Sequence, residues 1–202
     1  MISLINDSQH YYQNLNFKDI NLSLKTIEAK EFDNCTFSAC NFTETKFQKC
    51  KFYECTFNKC NLSLMTVLNS SFFDIVFENS KAIGINWSNA AWPRIKVNSP
   101  LQFYKCVLNY SSFFGLCLRE IIIVECNAEE VDFREADCTN ATFTHTDFTK
   151  SLFSKTNLTK ADFTEATNYN IDVFLNEIKK AKFSLPEATS LLRSLDIELI
   201  DF

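Results

Sequence analysis

Residues 32–57 read FDNCTFSACNFTETKFQKCKFYECTF, with a phenylalanine at every fifth position. A spacing of five matches neither the 3.6-residue period of an α-helix nor the two-residue period of a flat strand. The chain must therefore turn a corner after each inward-facing residue. A short, fixed period of this kind indicates a solenoid, in which each unit buries its apolar face against neighbouring units.

The same spacing extends over most of the chain. Large apolar residues recur through residues 17–92, then resume one residue out of phase and continue through residues 103–163. We call each of them the centre i of a repeat. The best-kept repeats read ADCTN (136–140) and ADFTE (161–165), with a small residue at i−2, Asn or Asp at i−1, and Ser or Thr at i+1. These polar residues favour turns because they hydrogen-bond to nearby backbone.

This five-position pattern resembles the pentapeptide-repeat family from residue 17 to residue 163. The resemblance implies an all-β solenoid, a right-handed quadrilateral β-helix of pentapeptide repeats with a short C-terminal α-helical cap. One pentapeptide would form each side, four would form a coil, and the side chains at i and i−2 would fill the interior. About seven coils spaced ~4.8 Å apart would make a rod about 35 Å long.

We predict that the β-helix covers residues 1–167, with an N-terminal cap over about 1–15. An interruption is predicted at about 93–102, because Pro93 and Pro100 bracket the point where the phase slips. Residues 168–202 depart from the repeat and are predicted to form a C-terminal helical cap and dimerisation segment.

Within this C-terminal segment, residues 171–181 (IDVFLNEIKKA) resemble a short helix. Ser184 and Glu187 fit a capping box that opens a second helix ending near Ser194, and residues 197–200 look strand-like. Qnr-type members of the family use such an element to form a twofold dimer, and the resemblance implies the same here. The residues predicted to take part are Phe183, Leu185, Leu191, Leu192, Leu195, Ile197 and Leu199.

Cysteine placement predicts packing and not metal binding. Seven of the nine cysteines occupy the i−2 position, where other repeats hold alanine, serine or threonine: Cys35, Cys40, Cys50, Cys55, Cys60, Cys106 and Cys126. Free cysteine behaves as a small hydrophobic residue, and the spacing is that of the repeat and not of paired zinc ligands. We therefore expect reduced thiols, no metal site and no cofactor.

The sequence also argues against catalysis. It contains two histidines, His10 and His145, and lacks a glycine-rich phosphate loop, a nucleophile elbow and a zinc-binding His-Glu motif. We expect a protein that is not an enzyme.

The formal net charge of −5 disfavours direct binding to nucleic acid or to an anionic membrane. The start MISLINDSQHYY lacks the features of a signal peptide, so we expect a cytoplasmic protein.

Four glutamates occupy the i+2 position of successive repeats, which predicts one acid on each side of a single coil. Three further acids lie nearby in the sequence, Glu129, Asp132 and Asp137. We call the seven residues together the acidic ring: Glu120, Glu125, Glu129, Glu130, Asp132, Glu135 and Asp137. Regularly spaced negative charge can imitate DNA phosphates. Alternatively, Lys150 and Lys155 would lie one coil above Glu130 and Glu135 and form exposed ion pairs, each worth less than about 1 kcal/mol.

The resemblance to Qnr-type proteins implies a DNA mimic that binds a type II topoisomerase, DNA gyrase or topoisomerase IV. Such a protein modulates the enzyme or protects it from quinolones. The acidic ring would supply the contacts, together with Arg94 and Lys96 of the interruption. Two features depart from this pattern: the chain has a single small interruption, and lysines such as Lys49 and Lys59 make the surface mixed. The alternative is a general protein–protein interaction scaffold without topoisomerase activity.

Overall fold

The computed structural model describes residues 5, 8–92, 101–198 and 200. Across these residues the chain winds into a four-sided solenoid of short parallel strands. The strands are β1 (Tyr11–Gln13), β2 (Asn16–Lys18), β3 (Thr26–Glu28), β4 (Glu31–Asp33), β5 (Thr36–Ser38), β6 (Lys46–Gln48), β7 (Lys51–Tyr53), β8 (Thr56–Asn58), β9 (Ser71–Phe73), β10 (Ile75–Glu78), β11 (Leu101–Tyr104), β12 (Ile122–Val124), β13 (Asp162–Phe163) and β14 (Lys182–Phe183).

Four faces run along the solenoid. Face 1 contains β1, β4, β7 and β9, and face 2 contains β2, β5, β8, β10, β11 and β12 and continues upward to β13 and β14. Isolated parallel bridges such as Asn41↔Asn61 build face 3, and face 4 begins with β3 and β6. This architecture confirms the predicted all-β solenoid.

From Tyr11 to Thr167 the register between coils is regular except at one place. Phe37 pairs with Phe17 below it and with Phe57 above it, 20 residues away in each direction. Phe77 pairs with Phe103, and 103 − 77 gives 26, six more than the regular offset. The extra residues lie between Trp92 and Leu101, at the corner that joins face 1 to face 2. The predicted interruption is therefore present, although its residues 93–100 lie outside the described part and residues 101–102 already belong to β11.

Stacked aromatic rings fill the interior. On face 2 the ring centroids of Phe17, Phe37, Phe57, Phe77 and Phe103 follow one another at 4.9, 4.7, 5.1 and 4.8 Å. All five side chains are buried, and each such burial stabilises the fold by roughly 1.5–3 kcal/mol. The phenylalanine period thus produces a continuous column, since every inward ring lies directly over the one a coil below.

The i−2 side chains form a second interior layer that is weakly polar. The Sγ of Cys35 donates to the carbonyl of Tyr12 at 3.4 Å, and the Oγ1 of Thr146 donates to the carbonyl of Ile123 at 3.0 Å. Cysteine, serine and threonine are interchangeable here because each is small and satisfies a carbonyl of the coil below. All seven i−2 cysteines are buried, and so is Cys138, which occupies a centre; Cys117 is exposed. All nine cysteines are free thiols.

Most corners are made by a residue in the left-handed backbone conformation at i+2, whereas the corner after Trp87 is a short 3₁₀ helix, Trp87–Asn89. Left-handed examples are Lys59 (φ 54), Tyr110 (φ 62) and His145 (φ 56). No valine, isoleucine or threonine takes this conformation in the described residues, because branching at Cβ makes it costly. Beside the corner, the side chain of Asn41 at i−1 accepts hydrogen bonds from the N–H and the hydroxyl of Thr43 at i+1, at 3.0 and 2.7 Å.

The C-terminal segment differs from the prediction. Residues 171–181 do not form a helix: Ile171 and Glu177 make bridges to the coil below, and β14 pairs with β13. Coil pairing therefore continues across the predicted boundary at 167/168 as far as Phe183. One helix of 3₁₀ type follows, Glu187–Leu195.

The predicted capping box is also wrong, because the side chains of Ser184 and Glu187 bond to the coil beneath and not to the helix end. Residues 197, 198 and 200 are not in a strand. Among the described residues, no helix has both the length and the apolar character of a transmembrane segment.

Candidate functional site

The acidic ring encircles one coil, as the spacing predicts. Glu120, Glu125, Glu130 and Glu135 sit at four successive corners, each with a left-handed φ between 53 and 61°. Their side chains point outward because the i+2 position lies outside the packed interior. The four carboxylates therefore face four different directions, and no single flat surface can contact all of them.

Lysines one coil away neutralise three of these corner glutamates. The Nζ atoms of Lys150 and Lys155 lie 3.4 and 3.7 Å from carboxylate oxygens of Glu130 and Glu135, which confirms the coil-to-coil pairing expected from the sequence. Glu125 is paired in the other direction, with Lys105 of the coil below at 3.5 Å. All of these side chains are well exposed, so each pair contributes little to stability.

Arginines engage the two aspartates of the ring. Asp132 receives two hydrogen bonds from the side chain of Arg134, at 2.9 and 2.8 Å, and Asp137 receives one from Nε of Arg119 at 2.6 Å. Partial burial raises the pKa of Asp132, but the hydrogen bonds from Arg134 outweigh it and leave the pKa lowered. The pKa of Asp137 is lowered in the same way, by Thr139 and Arg119 against the effect of burial.

Two members of the ring make no ion pair within the described residues, Glu120 and Glu129. Glu129 is in reach of the Nδ2 of Asn109 at 3.4 Å. The structure therefore brings the predicted acids together, but basic partners accompany five of the seven. Arg94 and Lys96, also predicted to contact a partner, lie outside the described residues.

The predicted dimerisation residues separate into two groups. Phe183 stacks on Phe163 at 5.1 Å, and Leu191 also packs against the core, so both close the end of the rod. Leu185, Leu195 and Ile197 are exposed. Leu192 is half-buried, and Leu199 lies outside the described residues.

A further surface was not singled out by the sequence. On face 1, just before the interruption, side chains of adjacent coils border an open hollow of about 190 Å³. Its lining is Tyr53, Ser71, Phe72, Phe73, Ala91 and Trp92. Tyr53 and Phe73 occupy the i+1 position that the repeat pattern gives to serine or threonine. That departure is the signal in the sequence that could have revealed this surface.

Comparison with solved structures gives related solenoids. One is HetL, a pentapeptide repeat protein involved in heterocyst differentiation regulation from the cyanobacterium Nostoc sp. Strain PCC 7120. It matches with a TM-score of 0.67 and 12% identity, over 85% of this chain and 84% of HetL. A trypsin-treated variant of QnrB1, a plasmid-mediated fluoroquinolone resistance protein, matches with a TM-score of 0.52 and 21% identity, over 95% of this chain and 98% of that one.

Comparison with curated protein sequences finds no significant match. Family models give a direct assignment. The model described as "Pentapeptide repeat region" matches residues 30–100, and the model described as "Pentapeptide repeats (8 copies)" matches residues 111–149 and 132–167. Together they cover well over half of the chain. This chain therefore belongs to the pentapeptide repeat family.

Proposed function

We propose that this chain is a protein-binding rod whose outer side chains are recognised by another protein. The observation that supports this best is the coil register: residues 20 apart lie one above the other, so outward side chains form straight columns whose successive members are about 4.8 Å apart. Stacked rings such as Phe37 and Phe57 hold these columns rigid from inside. A rigid surface loses little conformational entropy when a partner binds.

The charge pattern favours a general interaction scaffold over a uniform phosphate mimic. Lys105, Lys150 and Lys155 interrupt the acidic ring on three of its four corners. A partner would therefore meet alternating charges and hydrogen-bonding groups, which give specificity through complementarity more than through net attraction.

Photo-cross-linking from four corners of one coil tests this proposal. Benzoylphenylalanine is placed in turn at Glu120, Glu125, Glu130 and Glu135 in the cells from which the chain comes. An aromatic ring fits this position, since Tyr110 already occupies an equivalent corner with φ 62. We expect one protein adduct from a single corner or two adjacent corners, because a globular partner covers one side of the rod. Equal adducts from all four corners, or none from any, contradict the proposal.

We propose as a second candidate that the partner is a type II topoisomerase, DNA gyrase or topoisomerase IV. The placement of four glutamates around one coil, with Glu120 and Glu129 outside ion pairs in the described residues, supports this candidate. QnrB1, which shares the fold, is a fluoroquinolone resistance protein. The assay is supercoiling by purified gyrase with and without ciprofloxacin, and we expect inhibition or protection at low micromolar protein.

Charge variants make this assay selective for the acidic ring. Replacing Lys105, Lys150 and Lys155 by Gln frees three glutamates and should strengthen the effect on gyrase, whereas Glu125→Lys with Glu129→Lys should abolish it. The matched control replaces three exposed lysines away from the ring by Gln, namely Lys18, Lys25 and Lys59. If both triple variants act alike, net charge and not the ring is responsible, and the role assigned to the acidic ring fails. No effect of the parent chain on supercoiling, with or without ciprofloxacin, contradicts the topoisomerase proposal itself.

We also propose that two copies associate through the C-terminal end. Leu185, Leu195 and Ile197 are large apolar residues that stay exposed beside the end of the rod. Burying them in a twofold interface would remove this apolar surface from water.

A further inference from the structure

The hollow on face 1 combines aromatic walls with acidic neighbours. Phe73 and Tyr53 lie one coil apart with ring centroids 6.4 Å apart, and the ring of Trp92 lies 6.4 Å from that of Phe72. Phe73 is 40% exposed, so part of its ring faces solvent. The indole N–H of Trp92 donates to the carbonyl of Trp87 at 2.8 Å, which fixes that side of the hollow.

Two carboxylates follow these aromatic residues directly in the sequence and stand just outside the lining of the hollow. Glu54 and Asp74 directly follow Tyr53 and Phe73 and occupy successive exposed corners of the same column. Asp74 accepts a hydrogen bond from the neutral side chain of Gln102 at 3.1 Å. Within the described residues, neither Glu54 nor Asp74 makes an ion pair.

Two basic residues of this face are engaged by acids of their own. Lys51 lies 3.4 Å from a carboxylate oxygen of Glu31, and Arg119, on the same face above the interruption, bonds to Asp137. The two carboxylates beside the hollow thus have no basic side chain bound to them in the described part of the chain.

The chain itself shows what such a combination binds. Elsewhere on the rod the guanidinium of Arg134 lies over the ring of Phe114, 5.8 Å from its centroid, while Asp132 accepts its hydrogen bonds. Phe114 occupies the i+1 position of its repeat, as Phe73 does. An exposed ring at i+1 with a carboxylate nearby therefore holds an arginine at one place on this molecule.

We infer that the hollow binds an arginine side chain of a partner protein, with the guanidinium over Phe73 and its N–H groups directed to Glu54 and Asp74. A guanidinium suits the site because it stacks on aromatic faces and donates several hydrogen bonds in one plane. The negative charge of the two carboxylates selects a cation over a neutral side chain. This inference rests on the proposed protein-binding role, but it does not depend on a topoisomerase being the partner.

The probe is the peptide acetyl-Gly-Arg-Gly-amide, titrated into the full-length chain while the indole N–H signal of Trp92 is followed by ¹H–¹⁵N NMR. The counterpart with citrulline in place of arginine is equal in shape but uncharged. We expect a saturable shift of the Trp92 signal with the arginine peptide and at least about fivefold weaker binding with citrulline. Equal binding of the two peptides, or a shift that never saturates, overturns the inference.

Variants of the hollow locate the binding. Phe73→Ala, and Glu54→Gln combined with Asp74→Asn, should each weaken binding at least about fivefold. The controls are Tyr110→Ala and Glu44→Gln, which remove an exposed ring and an exposed carboxylate elsewhere and should leave the affinity unchanged. Thermal midpoints of all variants verify that they fold. Equal loss in the controls contradicts this site. Because cross-linking of a partner to the acidic ring is measured separately, failure of the peptide experiment leaves that result intact.

Discussion

The hydroxyl of Ser184 accepts a hydrogen bond from the backbone N–H of Glu165 at 2.9 Å, across the gap between the last regular coil and the C-terminal helix. Glu187 makes an equivalent contact, since its Oε1 accepts from the N–H of Asn168 at 2.8 Å. At the end of a solenoid no further coil is available to pair with such donors. These two side chains therefore act in place of the missing coil.

Replacing Ser184 by alanine should consequently destabilise the end of the rod. Loss of one hydrogen bond to a backbone donor lowers the free energy of unfolding by about 1 kcal/mol, and adding Glu187→Ala should lower it further. Urea denaturation measures the effect, and hydrogen exchange should accelerate at the amides of Glu165 and Asn168. Glu198→Ala is the control in the exposed tail. Unchanged exchange at both amides contradicts this role.

The aromatic column makes Phe37 a critical side chain. It stacks between Phe17 and Phe57 at 4.9 and 4.7 Å, so truncation leaves a cavity flanked by rings on both sides. Phe37→Ala should lower the free energy of unfolding by about 3–5 kcal/mol. Leu24→Ala, at an exposed corner, should change it by less than about 0.5 kcal/mol. Similar losses for both variants in urea denaturation would contradict a packed interior.

The left-handed corners predict a selective effect of side-chain branching at His145. This residue is exposed with φ 56. His145→Val should cost about 1 kcal/mol or more because a branched Cβ disfavours this conformation, whereas His145→Asn should be neutral or slightly stabilising. Comparison of the two variants by urea denaturation separates backbone strain from the loss of the imidazole. Equal stability of the two would refute the strain argument.

Aspartates at the i−1 position make stability depend on pH. In Asp132, Asp137, Asp147 and Asp162, burial raises the pKa, but hydrogen bonds from neighbouring side chains and N–H groups outweigh it, and the pKa is lowered. Because the folded pKa lies below the unfolded one, these groups stabilise the fold above the unfolded pKa. The stabilisation is lost as the pH falls through the folded pKa, so the free energy of unfolding should decrease from about pH 4 downwards.

The variant Asp162→Asn isolates one of these groups. It keeps an acceptor for the Thr164 N–H but loses the ion pair with Lys182, whose Nζ is 2.8 Å away. Its free energy of unfolding should therefore fall less between pH 7 and pH 3 than that of the parent chain. Glu44→Gln controls for removal of one carboxylate. A pH dependence identical to that of the parent would exclude a contribution from Asp162.

Exposed leucine and isoleucine side chains at the C-terminal end predict self-association. Leu185→Glu combined with Ile197→Glu should convert a dimer to a monomer, because a charge at a buried apolar interface is costly. Sedimentation velocity measures the change. Leu24→Glu, at an exposed corner of the first coil, is the matched control. A parent chain that sediments as a monomer at micromolar concentration would contradict the proposed dimer.

Much of the fold was predictable because one period specifies it. Phe37 and Phe57 are 20 residues apart in sequence, and four equal sides place them in contact. The pairing of Lys150 with Glu130 followed from the same arithmetic. Past Phe163 the prediction of a helix over 171–181 was wrong. Ile171 bridges to Phe153, only 18 residues earlier, so this coil is two residues shorter than the others. In the shorter coil the apolar residues fall at a spacing that resembles that of a helix.

The surfaces were less predictable than the interior. Arg119 lies 18 residues before Asp137, and no repeat spacing indicates that their side chains meet at 2.6 Å. Ser184 and Glu187 have the spacing of a capping box, but their side chains accept hydrogen bonds from backbone N–H groups of the coil beneath instead. The hollow beside Phe73 depends on two aromatic residues that depart from the repeat, so a search for the repeat passes over it.

The six extra residues between Trp92 and Leu101 leave the pairing of the described coils intact, since β10 still pairs with β11, and β11 with β12, in register. Corners are thus places where the chain can lengthen or shorten without displacing any interior side chain. In this architecture, length can vary independently of the core. Related rods can acquire or lose a projecting segment in a single event while every column on their sides stays aligned.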